Sequence, residues 1–141
     1  MNIVFDWSGT LADDHMITWN ITNQVLENFG GAAITFDTYK KEFVIPVDKF
    51  YSKYCPNVSI KKIDECFFEN YISYGKKYQL FEGIPELIET LNTNNTLYIL
   101  STLDSKILNV RSKETGIIIY FKKIIGNASN KLNALEKLLN D

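Results

Sequence analysis

The spacing of apolar residues divides the chain into three regions. Residues 3–5 form a short apolar run that ends at Asp6 and predicts a buried strand. Between residues 14 and 79, apolar and aromatic residues recur at helical spacing, which predicts a helical region without strands. After Leu80 the pattern alternates between helical and strand-like segments. The pattern therefore predicts a helical segment inserted between a first strand and an alternating α/β region.

Glycine and proline residues set the limits of four helices predicted in the central region. Gly30 ends the first helix, Pro46 interrupts the second, and Pro56 ends the third. The fourth helix is predicted to begin at Ser59 and to run to about Tyr78, because apolar residues form one continuous stripe between them.

The region after Leu80 predicts two further strands, over residues 96–100 and 121–125. Helices are predicted over 85–91, 105–114 and 131–139. Such regular alternation is typical of a parallel sheet with right-handed crossover connections.

The predicted fold class is α/β, with a Rossmann-like parallel sheet core and an inserted α-helical cap. Residues 1–13 and 80–141 are assigned to the core, and residues 14–79 to the cap. A segment inserted after the first strand is expected to cover the carboxyl edge of the sheet. In open α/β sheets, ligands bind at that edge.

Composition excludes some classes of protein and partner. The length of 141 residues suits one domain or one domain with a small insert, and a content of 45% hydrophobic and 23% charged residues allows a buried core. The formal net charge is −2 and the charges are interspersed, so we expect neither a nucleic-acid nor a membrane partner. The apolar runs are shorter than the ~20 residues of a membrane helix.

The two cysteines, Cys55 and Cys66, fit no metal-binding spacing and suggest no disulfide framework. The beginning of the sequence shows no basic region followed by an apolar stretch, so no signal peptide is expected. A reducing, cytoplasmic compartment is therefore the expected location.

Candidate chemistry begins directly after the first strand, with a carboxylate followed by a tight turn. Asp6 lies at the strand end, where a carboxylate can attack phosphorus or an alkyl carbon and form a covalent intermediate. Gly9 and Thr10 allow the backbone to turn and offer N–H groups to an anion. The structural alternative for Asp6 is a helix N-cap or a polar strand end.

Residues 6–11, Asp-Trp-Ser-Gly-Thr-Leu, resemble the first motif of the haloacid dehalogenase-like hydrolases, Asp-x-Asp-Gly-Thr-Leu/Val. The resemblance extends over nearly the whole chain and is greatest to the phosphoglycolate phosphatase-like branch, which has a helical cap. It implies a Mg²⁺-dependent phosphatase that acts on a small phosphorylated metabolite. Asp6 would be the nucleophile, forming an aspartyl-phosphate, and Mg²⁺ would bridge Asp6 and the phosphate.

Ser8 departs from this motif, because phosphatases of the family carry an aspartate there that protonates the leaving oxygen and later activates water. Serine can donate or relay a proton, but its hydroxyl is a poor acid. The resemblance still assigns the Ser8 carbonyl as a Mg²⁺ ligand. Family members that cleave carbon–phosphorus or carbon–halogen bonds also lack that aspartate, so these activities stay open as alternatives.

Two later positions resemble further motifs of the family. Ser101 follows the second predicted strand, and the resemblance assigns its hydroxyl, with Thr102 beside it, to binding of the phosphoryl group. Lys131 opens the last predicted helix and would neutralise the charge of the nucleophile and the phosphoryl group. The structural alternatives are a helix cap for Ser101 and a solvated lysine for Lys131.

The expected metal site is short of carboxylates. Family members continue into another strand that ends in one or two aspartates, and no such strand motif follows Lys131 in this sequence. Residues 126–131 could instead be a degenerate form of that motif. The sequence thus predicts a core truncated at its C-terminal end or an impaired Mg²⁺ affinity, and a non-catalytic binding module is the alternative. A missing strand would also expose a sheet edge through which chains could self-associate.

Overall fold

The computed structural model describes residues 1–74 and 78–140. The chain divides into two compact units, Met1–Asp14 with Lys77–Asp141, and His15–Lys76. The first unit contains a parallel sheet with helices, and the second is helical. The predicted α/β fold class is confirmed.

Within residues 1–74 and 78–140, the sheet unit contains three strands, three helices and one 3₁₀ turn, and the helical unit contains four helices. In chain order the regular elements are β1 (Asn2–Phe5), α1 (His15–Asn28), α2 (Phe36–Glu42), α3 (Asp48–Tyr54), α4 (Ile60–Ser73), α5 (Ile84–Asn92), β2 (Thr96–Leu100), α6 (Ser105–Glu114), the 3₁₀ turn (Ile117–Tyr120), β3 (Phe121–Ile125) and α7 (Lys131–Asn140). The sequence pattern did not predict the 3₁₀ turn, because the apolar run before β3 has no helical or strand period.

All strand pairs are parallel, and the strand order is β1-β2-β3. Ile3 is opposite Leu97 and Ile99 is opposite Ile124. Because the three strands run in the same direction, their carboxyl ends meet at one edge of the sheet. Asp6, Ser101 and the loop after Ile125 follow directly from those ends.

The core of the sheet unit surrounds β2. Residues 97–100 are all buried, as expected for a strand covered on both faces. Trp7 and Leu11, in the loop after β1, are fully buried in the same cluster as Leu97 and Ile99. Burial of each large apolar side chain contributes about 1.5–3 kcal/mol. The loop that carries the candidate chemistry is therefore anchored in the core by its own side chains.

The helical unit has its own core and confirms the predicted helical character of this region. Val25 and Leu26 of α1 pack with Phe50 and Tyr51 of α3 and with Ile63 of α4. Burial raises the pKa of the Tyr51 hydroxyl. In the described residues 14–74, 78 and 79, there is no strand.

The predicted end of the fourth helix was wrong. Helix α4 ends at Ser73, and Tyr74 already has an extended backbone, with φ −63° and ψ 110°. Residues 75–77, which the prediction placed in this helix, lie outside the described part of the chain. Tyr78 is not helical, since its side chain is held in the sheet unit by stacking on Trp7. This contact between distant parts of the sequence places Tyr78 outside the helix that the periodicity predicted.

Among the described residues, no helix combines the length and the apolar character needed to cross a membrane.

Candidate active site

Asp6 and Lys131 form an ion pair at the carboxyl edge of the sheet. The Lys131 Nζ atom lies 2.6 Å from Asp6 Oδ2, and the Trp7 N–H donates to Asp6 Oδ1 at 2.8 Å. Both side chains are about two-fifths exposed. An ion pair with this exposure contributes about 0–1 kcal/mol to stability. The pair therefore matters more for the chemistry of Asp6 than for folding, because it places a positive charge beside a candidate nucleophile.

Ser101 is buried at the end of β2, and its backbone joins two loops. Its N–H donates to the Ile125 carbonyl at 2.9 Å, and its own carbonyl accepts the Ala128 N–H at 3.0 Å. The Ser101 Oγ atom accepts the Leu103 N–H at 3.2 Å. Thr102, beside it, is half-buried. Ser101 thus fixes the loop between β3 and α7, which leads to Lys131.

One carbonyl group accepts most of the backbone hydrogen bonds within the loop after β1. The Trp7 carbonyl accepts the N–H groups of Thr10, Leu11 and Ala12 at 3.0–3.2 Å, and the Gly9 N–H donates to the Ala12 carbonyl at 2.9 Å. Gly9 has φ +70°, which favours glycine at this turn. The N–H groups of Gly9 and Thr10, predicted to be offered to an anion, are instead used within the loop here. Substrate binding by these two exposed residues stays a prediction.

A buried carboxylate, that of Asp14, is hydrogen-bonded to this loop. Asp14 is 1% exposed, and its Oδ2 atom accepts hydrogen bonds from Ser8 Oγ and from the Tyr78 hydroxyl, both at 2.7 Å. The Trp7 Nε1–H donates to the Tyr78 hydroxyl at 3.2 Å. This cluster was not predicted from the sequence. The adjacent acids at positions 13 and 14 are the one local signal for it, and Tyr78 gives none, because its partners are distant in the chain.

The loop between β3 and α7 passes very close to the start of α6. A Cβ atom at position 126 would lie 2.5 Å from Ser105 Cα and 2.8 Å from the Leu103 carbonyl oxygen. Asn127, with φ +55°, donates its N–H to that carbonyl at 2.8 Å. Only glycine fits position 126, and this close approach sets the path of the chain towards Lys131.

We expect Gly126→Ala to destabilise the protein by about 1–3 kcal/mol, because the added methyl group meets backbone atoms that cannot move aside. Urea unfolding would measure the change. Ser129→Ala, at an exposed position of the same loop, is the matched control and should stay within about 0.5 kcal/mol of the unmodified chain. Equal stability of the two variants would contradict the close approach.

The residues described do not complete a Mg²⁺ site. In residues 1–74 and 78–140, no three His, Cys, Asp or Glu side chains come together in a way that could hold a metal ion. Asp6 is the carboxylate that the resemblance assigned to Mg²⁺, and both of its oxygens already accept hydrogen bonds. The other assigned ligand, the Ser8 carbonyl, is neutral. Mg²⁺ favours near-octahedral coordination by oxygen, and carboxylates usually supply the negative charge of the protein ligands. One carboxylate and one neutral carbonyl supply only part of this coordination.

The structure thus brings Asp6 and Lys131 into contact and places Ser101 after the neighbouring strand at the same edge. No hydrogen bond or ion pair joins Ser101 or Thr102 to Asp6 within the described chain. Ser8 is linked to Asp14.

Solved structures with the same fold cover most of this chain. A haloacid dehalogenase-like family hydrolase from Streptococcus pneumoniae is 25% identical, with a TM-score of 0.81, and the match covers 99% of this chain and 68% of that chain. A predicted phosphoglycolate phosphatase from Haemophilus somnus is 16% identical, with a TM-score of 0.75 and coverage of 89% and 62%. The protein CbbY from Rhodobacter sphaeroides, solved in complex with phosphate, is 16% identical, with a TM-score of 0.76 and coverage of 89% and 62%.

The chain thus spans about two thirds of the length of these three structures. Comparison with curated proteins gives no significant match. Residues 3–133 match the family model described as haloacid dehalogenase-like hydrolase, a range that includes Asp6, Ser101 and Lys131. The chain therefore belongs to the haloacid dehalogenase-like hydrolase family.

Proposed function

We propose that the protein is a phosphatase that transfers the phosphoryl group of a small phosphorylated metabolite to Asp6 and then to water. The observation that carries this proposal is the 2.6 Å contact between Lys131 Nζ and Asp6 Oδ2 at the carboxyl edge of the sheet. A lysine in this position attracts an anionic substrate. Family membership supports a hydrolase, and one structural neighbour was solved with phosphate.

The first step uses groups of the chain itself. An oxygen of the Asp6 carboxylate attacks phosphorus, and the bond between phosphorus and the leaving oxygen breaks, with its electron pair going to the leaving group. Lys131 stabilises the negative charge of the transferring group. The buried hydroxyl of Ser101 is proposed to donate a hydrogen bond to a phosphoryl oxygen, with Thr102 beside it.

In the second step, the oxygen of a water molecule attacks the phosphorus of the aspartyl-phosphate. The bond between phosphorus and the Asp6 oxygen breaks, phosphate is released, and the water proton passes to solvent. The two steps regenerate the Asp6 carboxylate. Splitting the reaction in this way replaces one difficult displacement with two easier ones.

Mg²⁺ is the cofactor that we propose on the basis of the family, with Asp6 and the Ser8 carbonyl as its ligands from this chain. When bound, it would supply positive charge to the phosphoryl group. The described residues supply only part of such a site, so we expect Mg²⁺ to bind weakly to this chain.

Further elements of the proposal concern the helical unit and the partners of the chain. We propose that the helical unit acts as a cap that selects the substrate. The outer strands of the three-stranded sheet are β1 and β3, and self-association through such an edge is proposed for this chain. A cytoplasmic location and the absence of nucleic-acid and membrane partners stay predictions from composition and charge.

The proposal is tested by a screen of phosphorylated metabolites, with Mg²⁺ or with a chelator, in which released phosphate is measured. Phosphonates and 2-haloacids in the same screen test the alternative activities. Release of phosphate from one class of phosphate compounds is the expected result. Phosphate binding in calorimetry without turnover of any compound would instead favour the binding module, for which the incomplete metal site is the supporting observation.

A further inference from the structure

The hydroxyl proton of Ser8 is directed to a buried carboxylate. Ser8 Oγ lies 2.7 Å from Asp14 Oδ2, and the Tyr78 hydroxyl reaches the same oxygen at 2.7 Å. A carboxylate oxygen that receives two hydroxyl groups is the acceptor of both. A serine hydroxyl has a single proton, so this hydrogen bond leaves Ser8 Oγ only its lone pairs for any other partner.

Packed side chains hold Tyr78, the second donor to Asp14, in place. Tyr78 stacks on Trp7, with ring centroids 6.1 Å apart and an interplanar angle of 12°. The Arg111 guanidinium lies 5.2 Å from the centroid of the Tyr78 ring, and the Trp7 indole N–H donates to the Tyr78 hydroxyl. Trp7 and Asp14 are both buried. Turning the Ser8 proton away would remove one donor from a buried carboxylate, which is unfavourable because buried polar groups need hydrogen-bond partners.

We propose that Ser8 is a hydrogen-bond acceptor that gives no proton to the leaving group, and that the enzyme therefore acts on phosphoryl compounds whose leaving group departs as a stable anion. Acyl phosphates and phosphates of acidic phenols belong to this class. The inference rests on the proposed phosphatase function and names its substrate class.

The chemical reason is the fate of the leaving oxygen. When Asp6 attacks phosphorus, the electron pair of the breaking bond stays on the leaving oxygen, and Ser8 does not protonate it. The leaving group takes its proton from water after departure. Proton transfer by a positioned acid contributes about 10²–10⁴ in rate, and esters of simple alcohols need it most. Carboxylate and phenolate leaving groups carry the charge without such help.

The test is a series of phenyl phosphates with leaving groups of graded acidity, extended by acetyl phosphate and by an alkyl phosphate. The unmodified chain and the variants Ser8→Ala and Ser8→Asp are compared. We expect log kcat/KM to fall steeply as the leaving group becomes more basic, with the same slope in Ser8→Ala. Ser8→Asp introduces a side chain that can donate a proton, and should raise the rate of the alkyl ester relative to p-nitrophenyl phosphate by about 10²–10⁴.

Ser8→Ala removes one donor to the buried Asp14 carboxylate, and Ser8→Asp places a second carboxylate near it. Circular dichroism and urea unfolding would therefore establish that each variant is folded before its kinetics are compared. A flat dependence in the unmodified chain that becomes steep in Ser8→Ala would show that Ser8 donates a proton, and would overturn this inference alone. A flat dependence in all three proteins would overturn it as well. If no phosphate compound is turned over by any of the proteins, the proposed function itself fails, and the inference fails with it.

Discussion

Asp6→Asn is expected to reduce phosphatase turnover by more than about 10⁴, because an amide oxygen cannot replace the carboxylate that attacks phosphorus. The variant keeps the size of the side chain, and the amide oxygen could still accept the Trp7 N–H. The lost ion pair with Lys131 is about two-fifths exposed and is worth about 0–1 kcal/mol, so the free energy of unfolding should change little. Phosphate release and urea unfolding measure the two effects.

Asp13→Asn is the matched control for this experiment. Asp13 lies near the same loop, has an exposed side chain, and loses the same charge on substitution. Its turnover should stay within a few-fold of that of the unmodified chain. Mass spectrometry should detect an added phosphoryl group on the unmodified chain and on Asp13→Asn, and none on Asp6→Asn. Retained turnover in Asp6→Asn would rule out the covalent mechanism.

Lys131→Gln is expected to lower kcat/KM by about 10²–10³, the usual effect of removing one group that stabilises charge in the transition state. The same substitution should change the free energy of unfolding by no more than about 1 kcal/mol, because the ion pair is partly exposed to solvent. A large kinetic effect combined with a small change in stability is what distinguishes a catalytic lysine from a structural one. Steady-state kinetics and urea unfolding provide the comparison.

Lys137→Gln is the control for Lys131→Gln, since Lys137 is exposed on the same helix, α7. It removes the same charge from the chain at a distance from Asp6, and should leave kcat/KM nearly unchanged. Equal kinetic losses in the two variants would point to a general effect of net charge and would contradict the specific role of Lys131.

Much of the sheet unit could be predicted because its signals are local. The apolar run at 96–100 and the polar residues after it predicted β2 at its observed limits. The helices that flank β2 in sequence were also predicted closely, since amphipathic spacing acts within a few positions. Asp104 accepts the N–H groups of Lys106 and Ile107 at the start of α6. Placement of candidate residues at one sheet edge followed from the direction of parallel strands.

Contacts between distant parts of the sequence could not be predicted in the same way. The sequence suggested that Asp6 and Lys131 lie at the same edge, and only the register of the strands and the path of the loop at Gly126 decided that their charged atoms meet at 2.6 Å. The end of α4 was predicted wrongly for a related reason. The aromatic residues at helical spacing continue to Tyr78 in the sequence. In the structure, Tyr78 packs against Trp7 and is not part of a helix.

The sequence by itself determined the α/β class, the parallel sheet, the inserted helical region and the residue types at the strand ends, because hydrophobic periodicity and turn residues act locally. The tertiary structure decided which polar groups share a hydrogen bond. Asp14 is buried and accepts hydrogen bonds from the Ser8 and Tyr78 hydroxyls. Both properties depend on a packed cluster around Trp7 whose members are far apart in the chain. Burial and hydrogen-bond partners are properties of the folded arrangement, since they exist only when distant segments exclude water together.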